Sequence, residues 1–223
     1  MKGRIMLRTV SIVPTILTDN KVDYREQVER INVFTRRVQI DITDGIFAPT
    51  TTLDVTNVWW PKNWSADLHM MVEKPSEHLE TILKLSPSLC IFHAEAKEDL
   101  TPTFAALKQA GIKTGLALLP PTFPGLVKPY IDMVDHVLIF AGQLGAQGAT
   151  ADMMQTEKIS LIRSLKPELE IGWDGGANLS NIRALAHTDL DVINVGSAIS
   201  RAENPAEVFQ EMVAEIDKNG VVL

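Results

Sequence analysis

The sequence predicts an α/β fold, a (β/α)8 TIM barrel, and three observations predict it. Eight short β-rich runs alternate with segments of helical period along the whole chain. Several of these runs are almost continuously apolar, as in Val137-Leu138-Ile139-Phe140, a pattern that suits strands buried on both faces of a parallel sheet. The chain has 223 residues. A single barrel of this class takes roughly 200–250, so residues 1–223 are read as one barrel domain.

The expected strands are residues 10–17, 37–44, 66–72, 89–94, 113–119, 136–141, 169–174 and 191–195. Between the first two, residues 22–35 set Val28, Ile31 and Phe34 on one face against Arg25, Glu26, Glu29 and Arg30. The helical pattern at 76–85 follows Pro75, that at 99–110 ends at Gly111, and that at 205–218 stops before Gly220. Proline near a helix start and glycine just past its end are the usual punctuation. The connection 52–64 carries the weakest helical pattern and is expected to be short or irregular. Its Trp59, Trp60 and Trp64 read as packing against the barrel wall. A doubly wound open sheet would want a glycine-rich turn after the first strand, and Val13-Pro14-Thr15-Ile16-Leu17-Thr18-Asp19 has no glycine.

Composition narrows the function classes. Hydrophobic residues make up 45% and charged residues 22%, an ordinary globular balance. The net charge of −7 argues against a nucleic-acid binder, which needs a basic face. It does not argue against a small anion, because backbone amides can hold phosphate without lysine or arginine. The start, residues 1–8, is basic without the apolar segment of a signal peptide, and no apolar stretch approaches a membrane span. The protein is read as cytoplasmic, without a membrane or nucleic-acid partner. The single cysteine, Cys90, lies in the apolar run Leu89-Cys90-Ile91-Phe92 and is read as a buried, inert thiol.

Barrel chemistry collects at the C-terminal strand ends. The first strand ends near Thr15, and the second carries Gln39 and Asp41 on one face. The third carries His69, and the fourth His93 and Glu95. The seventh ends Trp173-Asp174-Gly175-Gly176, and the eighth runs into Gly196-Ser197. Asp41, His69 and Asp174 are oxygen and nitrogen donors that closure of a barrel can gather. Two carboxylates and an imidazole suit a divalent metal, and they equally suit two-sided proton transfer. Either aspartate alone could be a helix N-cap, and Asp44, before Gly45, reads as a turn or cap residue. The pairs Gly175-Gly176 and Gly196-Ser197 fall where many barrels hold a phosphate. Gly142, Gly145 and Gly148 after the sixth strand would form a third wall or a lid.

Together these motifs resemble the ribulose-phosphate 3-epimerase family over nearly the whole chain. Val13-Pro14-Thr15-Ile16-Leu17 is similar to its Pro-Ser-Ile-Leu opening. Asp41-Ile42-Thr43-Asp44-Gly45-Ile46-Phe47-Ala48-Pro49 is similar to its Asp-Val-Met-Asp-Gly-x-Phe-Val-Pro stretch. Leu68-His69-Met70-Met71, His93-Ala94-Glu95, Asp174-Gly175-Gly176 and Gly196-Ser197-Ala198 resemble four further family motifs in the same order. The resemblance implies a barrel of the ribulose-phosphate-binding type. It implies a ketose-phosphate substrate epimerised at C3, such as D-ribulose 5-phosphate and D-xylulose 5-phosphate. It also implies a divalent metal (zinc, iron, manganese or cobalt) that stabilises a cis-enediolate. On that basis Asp41 and Asp174 would be the acid/base pair and metal ligands, with His69 a third ligand and Gln39 standing where the family keeps a fourth, a histidine. Thr15, Met71, Gly145, Gly148, Gly175, Gly176, Gly196 and Ser197 would hold the substrate and its phosphate.

The departures gather at the same place. A glutamine carbonyl binds a hard cation but is a poorer zinc ligand than imidazole. The family's lid, Asn-Pro-Gly-Phe-Gly-Gly-Gln, reads Gln143-Leu144-Gly145-Ala146-Gln147-Gly148-Ala149 here, and two pocket methionines become Thr43 and Phe140. An epimerase is therefore the leading expectation, with a non-catalytic or re-specialised phosphosugar-binding barrel as the alternative. A related decarboxylase or synthase would carry an Asp-x-Lys-x-x-Asp motif, and Asp41-Ile42-Thr43-Asp44 lacks the lysine. Relatives of this kind are often dimers or larger, so a homo-oligomer is a further expectation.

Overall fold

A computed structural model describes residues 9–217; the basic start (1–8) and the last six residues, with Lys218 and Gly220, lie outside the described residues. The eight expected runs form β1 (Ser11–Ile16), β2 (Arg37–Thr43), β3 (Ser65–Met71), β4 (Leu89–His93), β5 (Lys113–Leu118), β6 (His136–Phe140), β7 (Glu170–Asp174) and β8 (Val192–Val195). Every observed end falls within one residue of the expected one. Each strand pairs in parallel with the next, and β8 pairs back onto β1, which closes the barrel in sequence order.

Burial explains the apolar runs. All five residues of β4 and of β6 are buried. One set of side chains, including Ile40, Ile42, Leu68, Phe92 and Ile139, packs outward in the core between sheet and helices. The alternate set points inward, where Leu89, Ile91, Ala117 and Leu138 form a small separate cluster. That apolar plug divides the barrel interior into a floor and a mouth. At the floor, the N-terminal ends of β2, β3, β6 and β7 place Arg37, Asp67, His136 and Glu170 together. Arg37 donates two parallel 2.8 Å hydrogen bonds to the Glu170 carboxylate and one from Nε to Asp67. His136 Nδ1 lies 2.7 Å from Glu170 Oε2.

The connections depart from the sequence expectation in two places. Helix α1 (Lys21–Ile31) is capped by Asn20, whose side chain accepts from the Val22 and Asp23 N–H groups. It stops four residues before the expected end because the N–H groups of Phe34 and Thr35 both turn back to the Ile31 carbonyl. Between β2 and β3 the irregular 52–64 segment holds only a short 3-10 turn, Val55–Asn57. Its tryptophans divide, which corrects the reading of all three as wall packing. Trp64 is buried and donates to Asn32, Trp60 is half-buried, and Trp59 is 44% exposed with its ring edge-on to Tyr24. The other helices are α2 (Leu79–Leu85), α3 (Thr101–Gln109), α4 (Lys128–Met133), α5 (Glu157–Leu165) and α6 (Ile182–Ala186). Two more follow β8, the one-turn α7 (Ser197–Ser200) at the mouth and the long α8 (Pro205–Asp217). Among the described residues no helix is long and apolar enough to cross a membrane.

Candidate active site

The mouth is built by register. In the β2–β3 ladder Asp41 stands beside His69, and β7 brings Asp174 beside Phe140 of β6 and Asn194 of β8. Gln39, one inward position below Asp41, stands beside Thr15 of β1. All of these side chains except Asp174 are buried, and Asp174 keeps 14% of its side-chain surface open to solvent.

The polar atoms converge closely. Asp41 Oδ1 lies 3.1 Å from His69 Nδ1, and Asp174 Oδ2 lies 3.5 Å from the same nitrogen. One donor atom from each of Asp41, His69 and Asp174 falls within 4.8 Å of the other two. Two of these spacings, 3.1 and 3.5 Å, bracket the roughly 3.3–3.4 Å between ligand atoms of a tetrahedral cation with bonds of roughly 2.0–2.1 Å, which makes the group a candidate divalent-cation site. Gln39 completes the group with its amide nitrogen, which donates to Asp41 Oδ1 at 2.8 Å and to Asp174 Oδ2 at 2.6 Å.

Burial and pairing set the charges. Burial pushes the Asp41 carboxyl above its usual range, with Asp174 adding to the rise, while hydrogen bonds from His69 and Gln39 only partly offset it. Burial disfavours a charged His69, yet its contacts with Asp174 and Asp41 outweigh that and push it up to about 9. His93, with its Nε2 2.9 Å from His69 Nε2, is driven down to about 4 by burial and kept neutral. Behind it, His93 Nδ1 faces Glu95 Oε2 at 3.5 Å, and Glu95 also accepts from the Leu119 N–H. The His69 Nδ1–H donates toward the aspartates, its Nε2–H can donate to His93 Nε2, and the His93 Nδ1–H can donate to Glu95.

Beside these groups lies a cleft at the barrel mouth that opens to solvent. Its walls include Thr15, Met71, Phe140, Gly145, Gly148, Gly175, Gly176, Gly196 and Ser197, together with Asp41 and Asp174. Every residue expected to hold substrate is thus on one cavity. Thr43, buried beside Met71 in the β2–β3 ladder, lines a neighbouring pocket with Thr51, Thr52 and His78. Asp44 is a turn residue as expected, accepting from the Ile46, Phe47 and Glu73 N–H groups. Cys90 is fully buried, and burial raises its thiol far above the usual range.

Two glycines are required by geometry. Gly175 has φ +124°, and a Cβ there would sit 2.2 Å from the Gly142 nitrogen. Gly176 has φ +66°, and its Cβ would sit 2.2 Å from the Ala151 nitrogen. The loop after β6 therefore folds directly onto the loop after β7. Sequence reasoning missed Gln147 and Asn194, which also line the cavity. Asn194 was detectable as the lone polar residue in an apolar strand. Gln147 lies on a loop with no periodicity to point at it.

The two carboxylates and the glycine-walled cavity lie at the C-terminal strand ends of a closed parallel barrel, where barrel enzymes carry their active sites. A family model for the ribulose-phosphate 3-epimerase family matches residues 11–200, and the chain belongs to that family. It is 26% identical over 205 residues to the ribulose-phosphate 3-epimerase of Schizosaccharomyces pombe, covering 89% of this chain and 90% of the relative. With the Candida glabrata enzyme it shares 29% identity, covering 93% of this chain and 92% of that one. Among solved structures, 3-hexulose-6-phosphate synthase from Salmonella typhimurium superposes with a TM-score of 0.73 at 13% identity, covering 93% of this chain and 98% of that one. The KGPDC of Streptococcus mutans gives 0.69 at 11% identity, covering 94% and 98%. These two show the shared fold.

Proposed function

We propose that the protein epimerises a ketose phosphate at C3, interconverting D-ribulose 5-phosphate and D-xylulose 5-phosphate or a close analogue. Family membership supports an epimerase role. The observation that carries the reading is the pair Asp41 and Asp174, projecting from β2 and from β7 into one cavity. Inversion at a carbon requires a base on one face and an acid on the other, and carboxyl groups from well-separated strands meet that demand. One aspartate takes the C3 proton, and the other delivers a proton to the opposite face. In the reverse direction the roles exchange.

The remaining groups orient the sugar. Backbone at Gly175, Gly176 and Gly196, with the Ser197 hydroxyl, would receive the phosphate, since the absent side chains let an anion approach the chain closely. Thr15, Met71 and Phe140 would flank the carbon chain. Asp41, His69 and Asp174 would hold a divalent cation, which when bound neutralises charge developing on the substrate oxygens. The burial that raises the Asp41 carboxyl above its usual range makes it a stronger base.

The test is hydrogen–deuterium exchange at C3 of D-ribulose 5-phosphate in D2O, followed by NMR with Mn2+, Fe2+, Co2+ or Zn2+ supplied. Exchange is expected, and Asp174→Asn is expected to lower it by about 10³-fold while the protein stays folded. Binding of the sugar without exchange under any of these metals would overturn the proposal. It would leave the alternative of a phosphosugar-binding barrel, which the Gln39 amide between the aspartates favours.

A further inference from the structure

We propose that the Gln39 side chain is a built-in stand-in for the metal: its NH2 group clamps Asp41 and Asp174 together in the metal-free protein, and a cation enters only when the amide turns over. This rests on the reading of Asp41 and Asp174 as the working pair, and adds to it how that pair is held.

Three observations carry it. Gln39 Nε2 stands 2.8 Å from Asp41 Oδ1, 2.6 Å from Asp174 Oδ2 and 3.4 Å from His69 Nδ1, so it faces the same three atoms that suit a cation. An amide nitrogen carries two hydrogens, and here each has a carboxylate oxygen to receive it. At the other end of the group, Gln39 Oε1 is buried with no hydrogen-bond partner among the described residues.

The two orientations of the amide therefore differ sharply. With nitrogen inward, two donors meet two carboxylates. With oxygen inward, three oxygen acceptors converge in a buried site with only the His69 N–H to meet them, an unfavourable arrangement that a bound cation relieves. The idle oxygen is the mark of this compromise: a buried amide leaves its carbonyl unused because the carboxylates need its hydrogens more. An amide oxygen is a good ligand for hard cations, so the turned-over state is competent to bind metal, though less tightly than with imidazole. A neutral histidine at the same position has one N–H and could satisfy only one carboxylate, so it would make the site depend on metal for its assembly. Glutamine keeps the two aspartates in place without metal.

The test uses the full-length protein stripped with chelator and titrated with Zn2+ and with Mn2+, read by calorimetry and by thermal melting. Stripped wild type is expected to melt at the same temperature as protein before chelation. Gln39→His is expected to bind Zn2+ at least about tenfold more tightly, to melt lower than wild type when stripped, and to recover with Zn2+. Gln39→Glu keeps the shape and removes the NH2 group. Above neutral pH it should melt lower than stripped wild type and bind both metals more tightly. In 15N NMR spectra, the Gln39 NH2 pair of stripped wild type should exchange slowly with solvent and shift on Zn2+ saturation.

Two outcomes would overturn the inference: wild type that carries stoichiometric metal and loses melting temperature when stripped, or stripped Gln39→Glu as stable as stripped wild type. No turnover is measured, so a protein that shows these effects but no C3 exchange would sink the epimerase reading and leave this one standing.

Discussion

The floor and the mouth of this barrel solve the same problem in opposite ways. Both gather charge at one end of a closed sheet, from neighbouring strands and from β7. At the floor one guanidinium answers two carboxylates: Arg37 binds Glu170 through both oxygens and Asp67 through Nε. At the mouth two carboxylates meet the Gln39 amide and a His69 ring whose contacts with them favour its charged form. Gln39 Oε1, Asn194 Oδ1 and Gln147 Nε2 there have no hydrogen-bond partner among the described residues. The floor has its own orphan, His136 Nε2, but its carboxylates are matched. A region built for stability pairs its charges; a region built for chemistry leaves some of its binding capacity unspent.

Substitution at each end should separate stability from activity. The largest effect is expected at the mouth. Asp41→Asn should reduce C3 exchange by about 10³-fold, because an amide neither takes nor returns the proton. It should leave stability unchanged or raise it by about 1 kcal/mol, since a buried carboxylate near another is removed. Urea unfolding alongside the exchange assay checks both halves, and a large loss of stability would erase the distinction between the two ends.

At the floor the signs reverse. Arg37→Met leaves Asp67, which is almost fully buried, without its cation. Stability should fall by about 2–3 kcal/mol, below the figure for fully buried pairs because Arg37 and Glu170 are partly exposed. Exchange per folded molecule should not change, since the plug of Leu89, Ile91, Ala117 and Leu138 stands between floor and mouth.

The smallest effect concerns pH. Burial would raise the Glu170 carboxyl, but hydrogen bonds from Arg37 and His136 outweigh it and hold the group well below the usual carboxylate range. A depressed folded value means the unfolded chain binds the proton more readily. The stabilisation is then fully present above about pH 4.3 and fades as the pH falls below it. Glu170→Gln should flatten the acid limb of the melting-temperature profile, by under about 1 kcal/mol given the exposure of Glu170. An unchanged limb would show that the floor does not act through Glu170.

The fold was readable because strands buried on both faces leave apolar runs that need no partner to be recognised. The segment between β2 and β3 was readable only as weak, since a 3-10 turn leaves no periodicity. Asp41, His69 and Asp174 stood out as polar residues closing apolar strands. The floor escaped notice, because Arg37 and Glu170 lie 133 residues apart and each reads alone as a charged strand start. Gln39 was identified as a departure, but which end of its amide faces the aspartates depends on atoms from β2, β3 and β7 together. That is a property of closure, invisible along one chain segment.

Closure also governs how the molecule comes into being. β1 finds one of its two neighbours at once in β2, but the other, β8, only when Ser11 meets Val192. During synthesis the nascent sheet keeps two open edges until almost the whole chain has left the ribosome. Each edge offers unpaired N–H and C=O groups to any passing strand. Such a barrel is slow to complete for reasons of contact order, so the last quarter of the chain decides whether the first strand is protected or sticky.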